Sequence, residues 1–194
     1  MAAGGKEPTL TSAMRAEARK RPGQWLYSVD PGFDPNGEVP PQGIAGAWRI
    51  DDSGNVAEFL HNPNYMPSPM ALGFARPANE LENKLQLTVA GYFGEKRFAA
   101  EILEAELFVY TGSTWRGPAT IPGEDGRRVI DGCTSLEHIP KDWPGAVPIP
   151  ASLLLEIPGS VDLRVNPGSR VTVTIPIEDL RGAMAPGTSD GSGN

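Results

Sequence analysis

Cys133 and His138 are the residues of this chain whose types and spacing come nearest to a catalytic pair. A thiolate beside an imidazole forms a nucleophile. A lone cysteine is more often a small buried side chain, and no third group that would orient the pair is indicated by the sequence. The sequence therefore favours a structural role for Cys133, and a small hydrolase that uses Cys133 or His61 is the alternative.

A metal site is the second kind of functional site that the sequence suggests. His61 follows Asp51 and Asp52, but the chain has only 2 histidines and 1 cysteine, too few for a His-rich or Cys-rich set of ligands. Both aspartates fall in a predicted turn, where turn formation explains them. The chain also lacks a phosphate-binding Gly-Lys-Ser/Thr loop, a dinucleotide-binding glycine pattern and a Gly-x-Ser-x-Gly motif. We expect neither a metal nor a cofactor.

The charge distribution limits the class of partner. The net charge is −7, and residues 1–21 carry five basic against two acidic side chains, which leaves the remainder strongly acidic. An acidic body repels phosphate backbones, so we expect no nucleic-acid partner. No apolar run is long enough to predict a secretory signal or a membrane span. With a single cysteine, which cannot form an internal disulfide, the sequence predicts a cytoplasmic protein without membrane insertion.

The aromatic residues of the N-terminal part could contribute to packing or to binding. They are Trp25, Tyr27, Trp48, Phe59 and Tyr65. Burial explains large aromatic side chains well, while exposed ones concentrate binding energy at protein interfaces. We interpret this region as the candidate protein-binding site, and the residues predicted to contact the partner are Trp48, Tyr65, Met66 and Pro67.

Around these residues, local patterns predict the secondary structure of the N-terminal part. A short helix is expected from Thr9 to Lys20, capped by Thr9 or Thr11. An edge strand follows from Trp25 to Val29. A hairpin then joins strands from Ile44 to Ile50 and from Val56 to Leu60 through a turn in which Gly54 suits a left-handed conformation.

A pair of helices is predicted next. Asn79 and Glu82 resemble a capping box, and Leu81, Leu85 and Val89 form an apolar stripe. The second helix, from Glu95 to Ala105, leads into a strand at Leu107 to Tyr110 and is expected to bury Phe98, Ala99, Ile102 and Leu103.

In the C-terminal part, the residue pattern predicts a hairpin of two half-buried strands. Val161, Leu163 and Val165 alternate with Asp162 and Arg164, and Val171, Val173 and Ile175 repeat the pattern. Between the strands, Asn166 is predicted to cap its own turn, Pro167 to preset the first corner and Gly168 to supply the positive φ of a type II turn.

Three features together resemble a known family. They are the helix pair, the Asp131-Gly132-Cys133-Thr134-Ser135 segment and the Asn-Pro-Gly hairpin. In these features the chain resembles the SseB-like N-terminal domain, and the resemblance covers Leu81 to Leu180. It departs from that pattern at Cys133, where an aromatic residue commonly precedes Thr-Ser. The N-terminal third is similar to actinobacterial type VII secretion system-associated proteins, in the segments Trp25–Pro31, Val39–Pro41, Ile44–Trp48 and Asn62–Tyr65.

The sequence and the resemblance lead to one set of expectations. We predict an α+β fold with a mixed or largely antiparallel sheet packed by the helix pair and extended by an N-terminal β-hairpin. The predicted organisation is a flexible or short helical lead (1–22), a single SseB-like domain (23–182) with an extension (23–78), and a disordered tail (183–194). The resemblance implies a non-enzymatic cytoplasmic accessory or adaptor protein that binds a component or substrate of the type VII secretion apparatus. A self-associating structural protein is a further alternative.

Overall fold

The computed structural model describes residues 9–113, 117–123 and 126–183. The chain divides into two compact units, Met1–Ala75 and Arg76–Asn194. Each contains its own sheet, and the fold is α+β with one antiparallel and one mixed sheet, as predicted. Most of the predicted disordered tail, and the first eight residues of the predicted lead, lie outside the described residues.

Between residues 9 and 75, the N-terminal unit contains an α-helix, a short 3₁₀ turn (Pro41–Gly43) and a three-stranded antiparallel sheet. Helix α1 (Ser12–Ala18) begins after Thr11, whose hydroxyl accepts the Met14 N–H at 3.2 Å. Strands β1 (Trp25–Val29), β2 (Ile44–Ile50) and β3 (Val56–His61) follow in the order β1-β2-β3. The predicted edge strand and hairpin are therefore confirmed.

The turn between β2 and β3 follows from the chemistry of its residues. The carboxylate of Asp51 accepts the N–H groups of Ser53 and Asn55 at 2.9 and 2.8 Å. Gly54 has a φ of 79°, a conformation that side-chain-bearing residues rarely adopt. This turn fixes the register of the hairpin and so determines which side chains share a face of the sheet.

The C-terminal unit begins with the predicted helix pair, α2 (Glu80–Val89) and α3 (Glu95–Leu103). The side chain of Asn79 accepts the Glu82 N–H at 2.9 Å, and the Glu82 carboxylate accepts the Ala78 N–H at 2.7 Å. The predicted cap is confirmed. The predicted stripe on α2 is only partly correct, because Leu85 is buried whereas Val89, in the last turn, is 44% exposed.

Helix α3 buries the four predicted side chains, although it ends two residues earlier than predicted. It is followed by the strands of the mixed sheet and a final helix. These are β4 (Glu106–Tyr110), β5 (Thr120–Pro122), β6 (Arg128–Cys133), β7 (Ala146–Pro150), β8 (Val161–Val165), β9 (Val173–Pro176) and α4 (Ile177–Ala183). A 3₁₀ turn, Leu136–His138, follows β6, and another, Ala151–Glu156, follows β7.

The strand order β7-β4-β6-β8-β9 places β8 inside the sheet, with β5 also paired to β6. Strands β6 and β8 run parallel, and the other pairs are antiparallel. On β8, Asp162 and Leu163 project from opposite faces of the sheet and both are buried, and Asp162 is ion-paired with Arg127 at 2.6 Å. The prediction of a half-buried strand is therefore only partly correct: Val161, Leu163 and Val165 are buried as predicted and Arg164 is half-buried, but Asp162 is buried as well. The second predicted strand also begins later than expected, at Val173.

The turn between β8 and β9 has the predicted type II geometry. The Ser169 N–H donates to the Asn166 carbonyl at 3.1 Å, and Gly168 has a φ of 75°. The predicted role of Asn166 is wrong, however. Its side chain does not cap this turn but bonds to Thr134, which follows the neighbouring strand β6.

Candidate functional site

One face of the N-terminal sheet exposes large apolar side chains in a row across the three strands. Tyr27 pairs with Ala47, and Ala47 pairs with Leu60. Tyr27 is 60% exposed and Leu60 is 51% exposed. Because directly paired residues of antiparallel strands project from the same face, the small Ala47 leaves a depression between the two larger side chains. An apolar side chain of a partner would fit there.

The adjacent row adds an indole and a pair of opposite charges. Trp25 pairs with Arg49, and Arg49 pairs with Glu58. The Arg49 Nε lies 2.7 Å from the Glu58 Oε1, and Trp25 is 40% exposed. The two rows together, namely Trp25, Tyr27, Ala47, Arg49, Glu58 and Leu60, are called the outer aromatic face below.

The composition of the outer aromatic face is typical of a binding surface. Trp, Tyr and Arg carry a disproportionate share of the energy at protein interfaces. Single exposed apolar residues are ordinary on a monomer, whereas several on one face of a sheet are a common feature of surfaces that bind another protein. A sheet also holds these side chains more rigidly than a loop would, which lowers the entropy lost on binding.

The other face of this sheet takes the alternate residues, including the first predicted contact. Trp48 is only 5% exposed, and its ring centroid lies 4.8 Å from that of Phe59. The ring of Phe59 lies over Gly46, where an added Cβ would come within 2.5 Å of the Phe59 Cζ. Trp48 is therefore a core residue in this structure and is not available to a partner.

The loop that carries the other predicted contacts is fastened to Asp30. The buried Asp30 carboxylate accepts the Tyr65 hydroxyl at 2.7 Å and the N–H groups of Ser68 and Gly32 at 2.9 and 2.7 Å. Burial alone would raise the pKa of Asp30, but hydrogen bonds from Ser68, Gly32 and Tyr65 outweigh that effect and lower it. Tyr65 thus has a structural role.

Met66 and Pro67 of the same loop are half-buried, and the Met66 N–H donates to the Gln42 carbonyl at 3.0 Å. As partner contacts, Tyr65, Met66 and Pro67 remain predictions, and the structure favours Trp25, Tyr27 and Leu60 over them. The alternation within the predicted hairpin was the signal for this face. The pattern identifies the exposed face only when the pairing register of the three strands is known, and the sequence alone does not give that register.

The Cys133–His138 pair is not arranged as a nucleophile and its base. The Cys133 thiol donates to the backbone carbonyl of His138 at 3.3 Å, while the His138 ring Nε2 lies 2.8 Å from the Glu82 Oε1. Burial, and then the nearby charge of Asp131, raise the pKa of the Cys133 thiol to about 12. The thiol is therefore protonated at neutral pH, and the imidazole is bonded elsewhere.

The candidate metal residues do not form a site either. The His61 ring packs edge-on against Phe59 at a centroid distance of 4.8 Å, and Asp51 accepts bonds within its own turn. Across residues 9–113, 117–123 and 126–183, no group of three or more His, Cys, Asp or Glu side chains could hold a metal ion.

In the C-terminal unit, a cleft of about 710 Å³ lies beside the Asn-Pro-Gly turn. Tyr110 and Trp143 meet edge to face in its wall, with ring centroids 5.2 Å apart. The Arg164 guanidinium binds both Asp131 carboxylate oxygens, at 2.7 and 2.8 Å. These two charges are paired with each other, and the lining also carries Glu137, Lys141 and Asp142.

Comparison of the chain with protein-family models, with curated proteins and with solved structures finds no match in any of the three. Among the helices of the described residues, none has the length and apolar character that a membrane crossing requires.

Proposed function

We propose that this chain is a non-enzymatic accessory or adaptor protein of type VII secretion that acts in the cytoplasm by binding another protein. The observation that carries the binding role is the outer aromatic face, where Trp25, Tyr27 and Leu60 are exposed on a rigid sheet. The link to secretion rests on the resemblance of the N-terminal segments to secretion-associated proteins.

The face indicates the kind of segment that would bind. The depression over Ala47 suits an apolar side chain, and the neighbouring Arg49–Glu58 pair offers one charge of each sign at its border. A partner segment with one buried apolar anchor and flanking polar groups matches this pattern. The partner is a component or a substrate of the secretion apparatus.

A crosslinking experiment in the native cell tests the proposal. A photoreactive amino acid at Ala47 should give a crosslink to a type VII component or substrate, and Leu60→Glu should abolish it by placing a charge in the depression. The matched control is Leu153→Glu, because Leu153 is exposed to a similar degree, 47%, in the C-terminal unit. Secretion of a type VII substrate should fall with Leu60→Glu and not with Leu153→Glu.

The proposal fails if the crosslink at Ala47 persists unchanged in the Leu60→Glu protein. It also fails if the crosslinked protein has no connection with secretion. An unchanged melting temperature in both variants would show that the effect arises at the surface and not from unfolding.

A further inference from the structure

The cleft beside the Asn-Pro-Gly turn of the C-terminal unit is built from separate parts of the chain. Its floor is the face of the mixed sheet that carries Tyr110, Asp131 and Arg164, which belong to β4, β6 and β8. Its walls are the loop of residues 137–144 and the turn of residues 167–169. The volume of about 710 Å³ lies within the roughly 300 to 1,000 Å³ that is typical of small-molecule sites.

Both walls of the cleft are fastened to the structure around them. The Cys133 thiol, at the end of β6, donates to the His138 carbonyl at 3.3 Å, and the Trp143 ring packs against that of Tyr110. These contacts hold the loop wall at two points. The other wall is the type II turn after β8, which its own backbone hydrogen bond closes. The cleft is therefore formed before a ligand arrives, which lowers the entropy lost on binding.

Rings supply the apolar part of the lining. They belong to Tyr110, Trp143, Pro140, Pro144 and Pro167. The faces of aromatic rings carry partial negative charge, so they attract the weakly positive C–H groups of a ligand. This part of the cleft suits a ligand that has a surface of C–H groups.

The ion pair in the floor supplies the polar part. The Asp131 side chain is 6% exposed and that of Arg164 is 33% exposed, and the guanidinium donates to both carboxylate oxygens. Each carboxylate oxygen has two lone-pair sites, so Asp131 can accept a further hydrogen bond without losing its pairing. A wholly apolar ligand would remove water from this ion pair and replace it with nothing, which costs free energy. The ligand must therefore bring hydrogen-bond donors as well as C–H groups.

The charges of the cleft are close to balance. Among the described residues of the lining, three carboxylates accompany two cations, namely Asp131, Glu137, Asp142, Lys141 and Arg164. Arg170, which follows the turn in the chain, makes the count three against three. An anion gains little from this balanced lining and is repelled by the net charge of −7 of the whole chain. The lining therefore favours a ligand without net charge.

We propose that this cleft binds a neutral carbohydrate, a short oligosaccharide without carboxylate, sulfate or phosphate groups. The faces of a sugar ring carry C–H groups, which suit the rings of Tyr110 and Trp143. Its hydroxyl groups donate to the Asp131 carboxylate and accept from the guanidinium of Arg164, which has five N–H donors. A proline-rich peptide would also match the rings, but its proline residues have no N–H to donate to Asp131.

Binding of defined saccharides to the full chain tests the proposal. The probes are neutral oligosaccharides of glucose, mannose, galactose and N-acetylglucosamine, their sulfated and carboxylated counterparts, and a decaproline peptide. At least one neutral oligosaccharide should bind more tightly than its charged counterparts and than decaproline. In an NMR titration with that oligosaccharide, the signals of the Trp143 indole N–H and the Gly168 amide should shift, while the indole N–H of Trp25, in the N-terminal unit, should not.

Variants of the cleft give the second readout. Trp143→Ala should weaken binding at least about tenfold, because it removes an aromatic contact, and Trp143→Phe should retain most of it. The matched control is Phe93→Ala, since Phe93 is also a half-buried aromatic residue of the C-terminal unit but lies outside the cleft. Asp131→Asn should weaken binding as well, because an amide accepts on one oxygen only. Melting curves separate these effects from unfolding.

The absence of binding by every neutral oligosaccharide overturns the proposal, as does tighter binding of a charged saccharide or of decaproline. Shifts that fall outside the cleft, or an unchanged affinity in the Trp143→Ala protein, overturn it too. If a variant does not fold, the NMR titration of the original chain decides. The cleft shares no residue with the outer aromatic face, so failure here leaves the proposed function standing.

Discussion

The side chain of Asn166 holds the backbone of Thr134 across two neighbouring strand ends. Its Oδ1 accepts the Thr134 N–H at 2.8 Å, and its Nδ2 donates to the Thr134 hydroxyl at 3.0 Å. The Thr134 carbonyl in turn accepts the Nδ2 of Asn79 at 2.7 Å. One residue after β6 thus joins the start of α2 to the turn after β8.

Asn166→Ala should lower the free energy of unfolding by about 2 to 4 kcal/mol. The change leaves the Thr134 N–H without its acceptor in a buried site, and alanine tolerates the φ of 53° at this position less well than asparagine does. Chemical denaturation measures the loss. Asn36→Ala, at an exposed position, is the control and should change stability by less than about 0.5 kcal/mol. Equal effects of the two changes would contradict the role given to Asn166.

Gly168→Ala should destabilise the protein by about 1 to 2 kcal/mol, solely through its φ of 75°. An added Cβ at this position meets no atom within 4 Å, so crowding does not contribute. Gly182 in α4 has equally open surroundings and no positive φ. Gly182→Ala should therefore be neutral or stabilise by up to about 1 kcal/mol. Thermal melting of the two variants measures this difference. An unchanged melting temperature for Gly168→Ala would contradict the type II turn.

Leu85→Ala should cost about 2 to 5 kcal/mol, because the side chain is fully buried on α2. Val89→Ala, one turn later on the same helix, should cost less than about 1 kcal/mol, since Val89 is 44% exposed. Denaturant titration of both variants gives the comparison. Similar losses would mean that the two positions are equally buried in solution.

The Cys133 thiol should resist alkylation by iodoacetamide at pH 8 in the folded protein and react readily in denaturant, because its pKa is raised to about 12. A raised pKa in the folded state contributes stability below the ordinary value of 9.0, and this contribution is lost as the pH rises toward about 12. Unfolding free energies of the original chain and of Cys133→Ala should therefore converge over that range. Rapid alkylation of the folded protein would restore Cys133 as a candidate nucleophile.

Asp30→Asn should destabilise the protein at pH 6 and matter progressively less in acid. The pKa of Asp30 is lowered, so its contribution is present above the ordinary value of 3.8 and is lost as the pH falls through the lowered value. Unfolding free energies from pH 6 down to pH 2.5 measure this. Tyr65→Phe removes one of the hydrogen bonds and should move the loss to higher pH. A difference that does not vary with pH would argue against the ionised carboxylate as the anchor.

Local patterns in the sequence predict most helices, strands and turns, but they do not predict which elements contact one another. The Asn79–Glu82 cap, the buried set on α3 and the Gly168 corner depend on residues close together in the chain, and all three are confirmed. The pairing of β8 with β6, and the bond from Asn166 to Thr134, join segments about thirty residues apart. Alternation alone cannot reveal such partners, since it describes a strand and not what lies beside it.

The candidate site, too, could be predicted only in part from local patterns. The period-2 pattern separates the residues of β1 to β3 into two faces, yet it does not say which face is covered. Burial and partner binding both explain an aromatic residue at position 48, and the structure decides for burial by packing Trp48 against Phe59. Arg49 and Ala47, which complete the outer aromatic face, became visible only through the register of the three strands.

The parallel pairing of β6 with β8 has a consequence for the growing chain. Strand β6 is made before β7, and with β4 and β5 it can form antiparallel pairs early. Its other side stays open until residues 161–165 have been synthesised, because β8 is its partner there. During that interval the apolar Val129–Ile130 segment has an unpaired edge, the kind of surface on which nascent chains aggregate. Slower translation of residues 134–160 would prolong this exposure, whereas rapid completion of β8 would end it.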